Sequence, residues 1–257
     1  MLLERVNNSQ AEVLVILATY NESQNLRLLL TGVLEAAPVD VLVIDDNSPD
    51  GTGDMADNIA QHEPRVTVVH RKAKLGLASA RLLGVRHAES CGYKFVIEMD
   101  ADFSHPPKDL PRLIEACQNA DVVIGSRRVD GGRIEGRSWW RNGLTRLGGG
   151  YARVVLKLPI RDTTGGYRCV RLSAWKVIDL DRIHSQGYGF VLEINYAWSK
   201  AGLRFVEIPI VFRNRVNGTS KMSFSIIAEA LWVVVRLRRG QVPLALGWQQ
   251  IERGFTK

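Results

Sequence analysis

Short apolar runs alternate with segments of helical period through the first half of this 257-residue chain, and that alternation limits the folds open to it. Val13–Leu17, Val39–Ile44, Val66–Val69, Phe95–Met99 and Val122–Ile124 read as strands. They are mostly apolar on both faces, as strands are when layers cover them from either side. Between them, Gln24–Ala36, Gly53–Gln61, Leu77–Glu89 and Pro107–Cys117 read as helices. Strand–helix alternation of this kind predicts an α/β, Rossmann-like, mostly parallel sheet with helices on both faces.

The rhythm changes after the fifth strand. Residues Asp130–Gly150, rich in Gly and Arg, read as a loop leading into an amphipathic helix over Trp139–Leu156. A helix over Phe190–Lys200, a strand over Phe205–Phe212 and a C-terminal amphipathic helical segment over Ser223–Leu237 follow, the last closing on Arg236, Arg238 and Arg239. No linker divides the chain. The expectation is one domain over residues 1–240, with 223–239 as an amphipathic interface helix and 241–257 as a tail.

In open parallel sheets ligands bind beyond the carboxyl ends of the strands. The first strand is followed by Ala18-Thr19-Tyr20-Asn21-Glu22 and the second by Asp45-Asp46-Asn47-Ser48-Pro49-Asp50-Gly51. The fourth ends in Asp100-Ala101-Asp102-Phe103-Ser104-His105. Carboxylates gathered at one edge repel one another unless a cation or hydrogen-bond donors compensate. Asp100 and Asp102, one residue apart, can direct oxygens at a common ion, and hard cations such as Mg²⁺ or Mn²⁺ prefer such ligands. Ser104 or His105 would add a ligand or hold a bound water. D-x-D is also ordinary turn chemistry; its place after a buried strand favours the metal. Asp45 is placed to accept hydrogen bonds from a nucleobase or ribose, while the residues after it are those that turns favour.

Composition narrows the partners. A net charge of +7 favours anionic ones. The cysteines Cys91, Cys117 and Cys169 lack metal-ligand spacing and fit a reducing compartment. No signal peptide is evident at the start. The apolar stretch Ile226–Val235, broken by Glu229, is too short to span a bilayer, so membrane work is expected from the surface. Arg127, Arg137 and Arg141 flank the Trp139–Trp140 pair, a combination suited to phosphate and to a membrane interface.

The segments ATYNE, VIDDNSPDGT, KLGLASA, MDADFSH, GSR, DTTGGYRC and NGTSKM, in this order, resemble the dolichyl- or polyprenyl-phosphate mannose synthases in their short form, which are inverting glycosyltransferases of the GT-A fold. The resemblance runs over roughly residues 12 to 240; one departure is Ala18, where that family usually has Pro. It implies that Ala18, Tyr20, Glu22, Val43 and Asp45 line a nucleotide pocket, and that Asp100, Ala101 and Asp102 form the diphosphate site. Asp100, Asp102 and Ser104 would hold Mg²⁺ or Mn²⁺. Arg127, Arg141 and Thr145 would receive the lipid phosphate, while Arg215 and Lys221 would close over the donor. Asp100, Asp102 and Arg127 would carry the chemistry. The implied partners are GDP-mannose, a polyprenyl phosphate lipid and the cytoplasmic face of a membrane, reached directly or through an anchoring partner protein.

Two rival functions share some of these features. A polyprenyl-phosphate glucosyltransferase using UDP-glucose shares much of the motif set. A basic nucleic-acid-binding protein would need a recognition helix, zinc spacing or exposed aromatic strands, and none is evident. Neither G-x-G-x-x-G after the first strand nor a P-loop is present, which argues against a dinucleotide dehydrogenase and a P-loop NTPase.

Overall fold

The computed structural model describes residues 11–183, 185, 187–214 and 232–245. Its centre is a seven-stranded sheet in the order β3-β2-β1-β4-β7-β5-β8. These strands are β1 Val13–Thr19, β2 Asp40–Asp45, β3 Val66–His70, β4 Phe95–Asp100, β5 Val122–Ser126, β7 Arg168–Arg171 and β8 Phe205–Pro209. Helices α1 Leu26–Ala36, α2 Thr52–His62, α3 Leu77–Cys91 and α4 Leu110–Cys117 alternate with the first five strands. After β5 come β6 Arg133–Glu135, α5 Trp139–Leu156, the short α6 Leu172–Trp175 and α7 Gly187–Lys200.

Period-two alternation splits the core between the two faces of the sheet. Leu14 and Ile16 of β1 join the α3 and α7 side, with Val85, Phe190 and Trp198. Val13, Val15 and Leu17 face α1 and α4, with Leu29, Val33 and Leu113. The mostly parallel α/β sheet with helices on both faces is therefore as expected.

Three expectations need correction. The strand expected over Phe205–Phe212 is two strands: β8 belongs to the main sheet, whereas β9 Val211–Arg213 pairs with β6. Pro209 cannot donate to a ladder, and the next N–H, from Ile210, turns to the carbonyl of Ser126. The expected 130–150 loop contains β6. Finally, β7 lies antiparallel between β4 and β5. Its arginines conceal it: Arg168 is fully buried, with its guanidinium on Glu98 at 2.6 Å.

Of the expected 223–239 interface helix, 223–231 lie outside the described residues, and 232–238 are helical. Val233, Val234 and Leu237 are buried in the core, and Arg236 is paired with Glu193 at 2.6 Å. The described part thus packs inward through one face, leaving Trp232 and Val235 exposed.

α3 lies so close to β1 that a Cβ on Gly84 would stand 2.5 Å from Ile16 Cδ1. Gly84→Ala should therefore cost about 1–3 kcal/mol in urea unfolding, although alanine is the better helix former. Combining it with Ile16→Ala should cost less than the sum of the two single changes; strict additivity would contradict the close approach.

Candidate active site

The parallel register sets the acidic groups side by side. Ala18 pairs with Asp100 across to β4, and Thr19 pairs with Asp45 across to β2. Each carboxylate is then handled separately. Asp45, almost fully buried, accepts from Thr19 Oγ1 at 2.9 Å and from the Ser48 amide and hydroxyl at 2.9 and 2.6 Å. Asp46 is paired with Arg71 and also accepts the Gly76 N–H at 3.0 Å. Asp50 accepts the Ser23 N–H and the Thr52 hydroxyl, and Thr52 Oγ1 in turn accepts the Glu22 N–H at 2.9 Å. The loops after β1 and β2 are therefore laced into one wall, which carries Tyr20 with Lys74 Nζ 3.7 Å above its ring.

Val43 does not line this wall. It is fully buried among the β1–α1 core residues, on the same face of β2 as Asp45 but two residues short of the strand end. Ala18 is half-buried, and Glu22 accepts from Asn25 at 2.9 Å.

After β4 the chain turns sharply, with Phe103 at φ 60. Asp102 accepts the Ser104 N–H at 3.1 Å, closing a local side-chain turn. Asp100 accepts from Arg81 Nη2 at 3.1 Å, and Ala101 is buried beside it. His105 Nδ1 accepts the Asp100 N–H at 2.9 Å, so that lone pair is already engaged. Burial lowers the His105 pKa, against the opposing pull of Asp100 and Asp102, and keeps the ring neutral. Its ring stacks on Tyr167.

These residues suit a divalent cation. Asp100 and Asp102 bring two carboxylates to the end of β4, with Glu98 buried two residues earlier in the strand, against the guanidinium groups of Arg81 and Arg168. Negative charge is left over. Ser104 Oγ is buried with no hydrogen-bond partner among the described residues, an orphan that a water or an ion would satisfy. Among the described residues no third His, Cys, Asp or Glu completes a cage. Mg²⁺ commonly binds through one or two carboxylates, with waters and substrate phosphates filling the rest of its shell.

A second, basic region lies across the loop 162–168. Arg127 Nε and Nη2 both donate to Asp162 at 2.7 Å, and Nη2 also reaches Thr164 Oγ1 at 2.9 Å. Beside this pair opens a cavity of about 440 Å³, lined by Arg127, Arg128, Thr145, Arg146, Arg153 and Arg161, among others. Thr145 Oγ1 accepts from Arg128 at 3.3 Å. Arg141 stands apart from the cavity lining, its guanidinium 5.3 Å from the Trp140 ring. Arg215 and Lys221 lie outside the described residues.

Sequence reasoning missed Arg71, Arg81 and Arg128, and gave Asp162 no role although DTTGGYRC contains it. A basic residue beside each acidic motif was the available signal, but pairing across 19 to 35 positions is set by the fold.

Comparison with known proteins agrees with this architecture. The family model described as glycosyl transferase family 2 matches residues 14–178. An undecaprenyl-phosphate mannosyltransferase of Micrococcus luteus is 47% identical over 225 residues, covering 87% of this chain and 93% of that protein. A polyprenol monophosphomannose synthase of Mycolicibacterium smegmatis is 43% identical over 238 residues, covering 91% and 90%. Glucosyl-3-phosphoglycerate synthase from Mycobacterium tuberculosis, solved with Mg²⁺ and UDP, superposes with a TM-score of 0.63 at 17% identity, over 94% of this chain and 83% of that one. That last likeness is one of fold.

Burial alone would raise the Asp162 pKa, but the charge and hydrogen bonds of Arg127 outweigh it and hold the carboxyl below its ordinary value. A depressed native pKa contributes stability above the unfolded value, near 4, and loses it as pH falls through the native one. Thermal unfolding followed from pH 6 downward should show this acid loss in the wild type and a flatter acid limb in Asp162→Asn. Parallel acid limbs would contradict the pairing.

Proposed function

The chain belongs to glycosyl transferase family 2, and from that premise we propose that it transfers mannose from GDP-mannose to a polyprenyl phosphate, with inversion at the anomeric carbon. One observation carries the reading. The acidic strand ends and the arginine-lined cavity are tied to opposite ends of one loop. Arg81 joins Asp100 to the Gly166 carbonyl, and Arg127 joins Asp162 to Thr164. A donor diphosphate and an acceptor phosphate each need cationic company, and this arrangement provides two separate sources of it.

In this reading residues 1–240 act as one catalytic domain. Ala18, Tyr20, Glu22 and Asp45 receive the nucleotide on the wall built by the first two strand ends. Asp100, Asp102 and Ser104 would hold Mg²⁺ or Mn²⁺, which would supply charge neutralisation for the departing diphosphate. Arg127 and Thr145 help shape the cavity that admits the acceptor phosphate, while Arg215 and Lys221, which lie outside the described residues, serve the donor. A phosphate oxygen of the lipid forms the new bond to the anomeric carbon as the bond to the diphosphate oxygen breaks; the GDP leaves with that electron pair. The nucleophile is already anionic near neutral pH, so no dedicated base is required. The side chains supply orientation and compensation of charge between two anions.

A lipid acceptor asks for a membrane-facing surface, and α5 offers one. Trp139, Trp140, Leu144, Leu147, Tyr151 and Val154 form an exposed apolar stripe, with Trp139 85% and Val154 75% accessible. The helix contains no acidic residue, and Arg141 packs over Trp140. Such a helix suits an anionic bilayer surface. Among the described residues no helix is long and apolar enough to cross a membrane.

With polyprenyl phosphate and Mg²⁺ or Mn²⁺, the purified chain should consume labelled GDP-mannose in preference to UDP-glucose; the reverse preference would make it a glucosyltransferase. Asp102→Ala should lower transfer by about 100-fold or more while the fold persists by circular dichroism. Activity retained in that variant without metal would remove the metal assignment. In flotation assays the protein should rise with acidic liposomes at low salt, and Trp139→Ser with Trp140→Ser should leave it at the bottom. Flotation unchanged in the double variant would place the membrane contact elsewhere.

A further inference from the structure

The buried guanidinium of Arg81 is divided among three acceptors. Nη2 donates to Asp100 Oδ1 at 3.1 Å and reaches the Gly166 carbonyl only at 3.5 Å, while Nη1 stands 3.5 Å from Glu98 Oε2. Two of these three distances are at the outer limit of a hydrogen bond. Glu98 meanwhile has an acceptor to spare. Its Oε2 takes Arg168, whereas its Oε1 is buried with no hydrogen-bond partner among the described residues. A buried carboxylate oxygen left unsatisfied is costly, and Arg81 stands near enough to relieve it. The guanidinium therefore has two arrangements open to it: the observed one on Asp100, and another on Glu98 Oε1 and the Gly166 carbonyl.

Gly166 suits the second arrangement. A Cβ there would stand 3.1 Å from Arg81 Nη2, so bare backbone is what lets the guanidinium close on that carbonyl. Its neighbour Gly165 is small for a different reason: a Cβ would meet Ile124 Cγ2 at 3.1 Å. The ends of the loop are held elsewhere, Asp162 by Arg127 and Arg168 by Glu98. Arg168 also donates to Asn195 Oδ1 at 3.2 Å, and Asn195 Nδ2 donates to the Thr163 carbonyl at 3.3 Å. Asp162, Thr163 and Thr164 line the arginine cavity. One chain of contacts thus runs from Asp100 through Arg81 to the loop that borders the other half of the site.

We propose that Arg81 is a switch coupling the two halves: it leaves Asp100 for Glu98 Oε1 and the Gly166 carbonyl when Asp100 is taken up by the cation of the donor diphosphate. This rests on the metal and acceptor readings above and adds an order of events to them. A guanidinium and a divalent cation repel one another across a shared carboxylate, so Arg81 moves to the oxygens that can receive it. The middle of the loop is then anchored as well as its ends, and Thr163 and Thr164 are fixed before the acceptor arrives. An acceptor that need not select a minority arrangement of the loop binds more tightly. Arg81 is a positioning residue in this scheme, acting through Asp100 on one side and the loop on the other.

Calorimetry on the full chain, with Mn²⁺ and GDP as one probe and farnesyl phosphate as the other, reads the coupling without turnover. Saturating Mn²⁺ and GDP should tighten farnesyl phosphate about tenfold in the wild type, and farnesyl phosphate should tighten GDP with Mn²⁺ by the same factor. Arg81→Lys keeps the charge but cannot reach Glu98 and the loop together. Both ligands should still bind that variant, with the factor reduced to about two or less. Gly166→Ala, which sets a methyl against Arg81 Nη2, should lose the coupling in the same way. Gly165→Ala strains the same loop against Ile124 instead; it should lower the thermal midpoint yet keep the wild-type factor, which separates coupling from damage to the fold. Independent binding of the two probes to the wild type would overturn the proposal, as would the full factor retained in both Arg81→Lys and Gly166→Ala. Either result, with both probes bound, leaves the transferase reading standing. Wild-type protein that binds neither probe would sink that reading and the switch with it.

Discussion

Like-charge repulsion at the carboxyl ends of the strands is the constraint around which the site is organised. A parallel register cannot avoid it: once Ala18 sits beside Asp100 and Thr19 beside Asp45, the carboxylates following β1, β2 and β4 share one edge. The chain spends a different device on each. Asp45 is satisfied by hydroxyls and an amide, Asp46 by Arg71, and Asp50 by the start of α2. Arg81 is shared between Glu98 and Asp100, while Arg168 is reserved for Glu98. What remains is a local negative surplus around Asp100 and Asp102, beside the unpartnered Ser104 hydroxyl. In the proposed function a cation would accompany the diphosphate here.

The basic half has the opposite imbalance. Arg127 and Asp162 neutralise one another, and the other arginines of the cavity exceed the carboxylates near them. The loop from Asp162 to Arg168 stands between the two halves and is fixed at both ends: Asp162 by Arg127 and by the Glu207 carboxylate, which accepts its N–H at 2.9 Å, and Arg168 by Glu98. Two anions would otherwise repel during transfer; charge of opposite sign on either side of the loop lets each be bound in its own half. α5 connects this arrangement to a lipid, since one helix borders the cavity and also carries the exposed apolar stripe.

Much of the fold could be read from the sequence because periodicity reports burial directly. The strands from Val13 to Ile124 and the helix Trp139–Leu156 follow the apolar pattern closely. The pattern fails where a buried element carries charge. β7 was invisible because Arg168 and Arg171 look solvated until Glu98 is known to stand across from one of them. The break at Pro209 was legible in principle, since proline cannot continue the ladder. At the site, D-x-D and the two strand-end loops could be located from sequence. Their counter-charges could not, because Arg71, Arg81 and Asp162 are joined to them only by the fold. Val43 shows the converse: a residue inside a motif whose side chain is buried in the core.

In the proposed transfer the diphosphate and the lipid phosphate occupy separate halves, with metal in one of them only. Paramagnetic relaxation of phosphorus by Mn²⁺ in the enzyme complex with GDP and farnesyl phosphate measures this directly. Strong relaxation of the GDP phosphates and much weaker relaxation of the farnesyl phosphate are expected, with loss of both effects in Asp102→Ala. Equal relaxation of the two ligands, or stronger relaxation of the lipid phosphate, would contradict it.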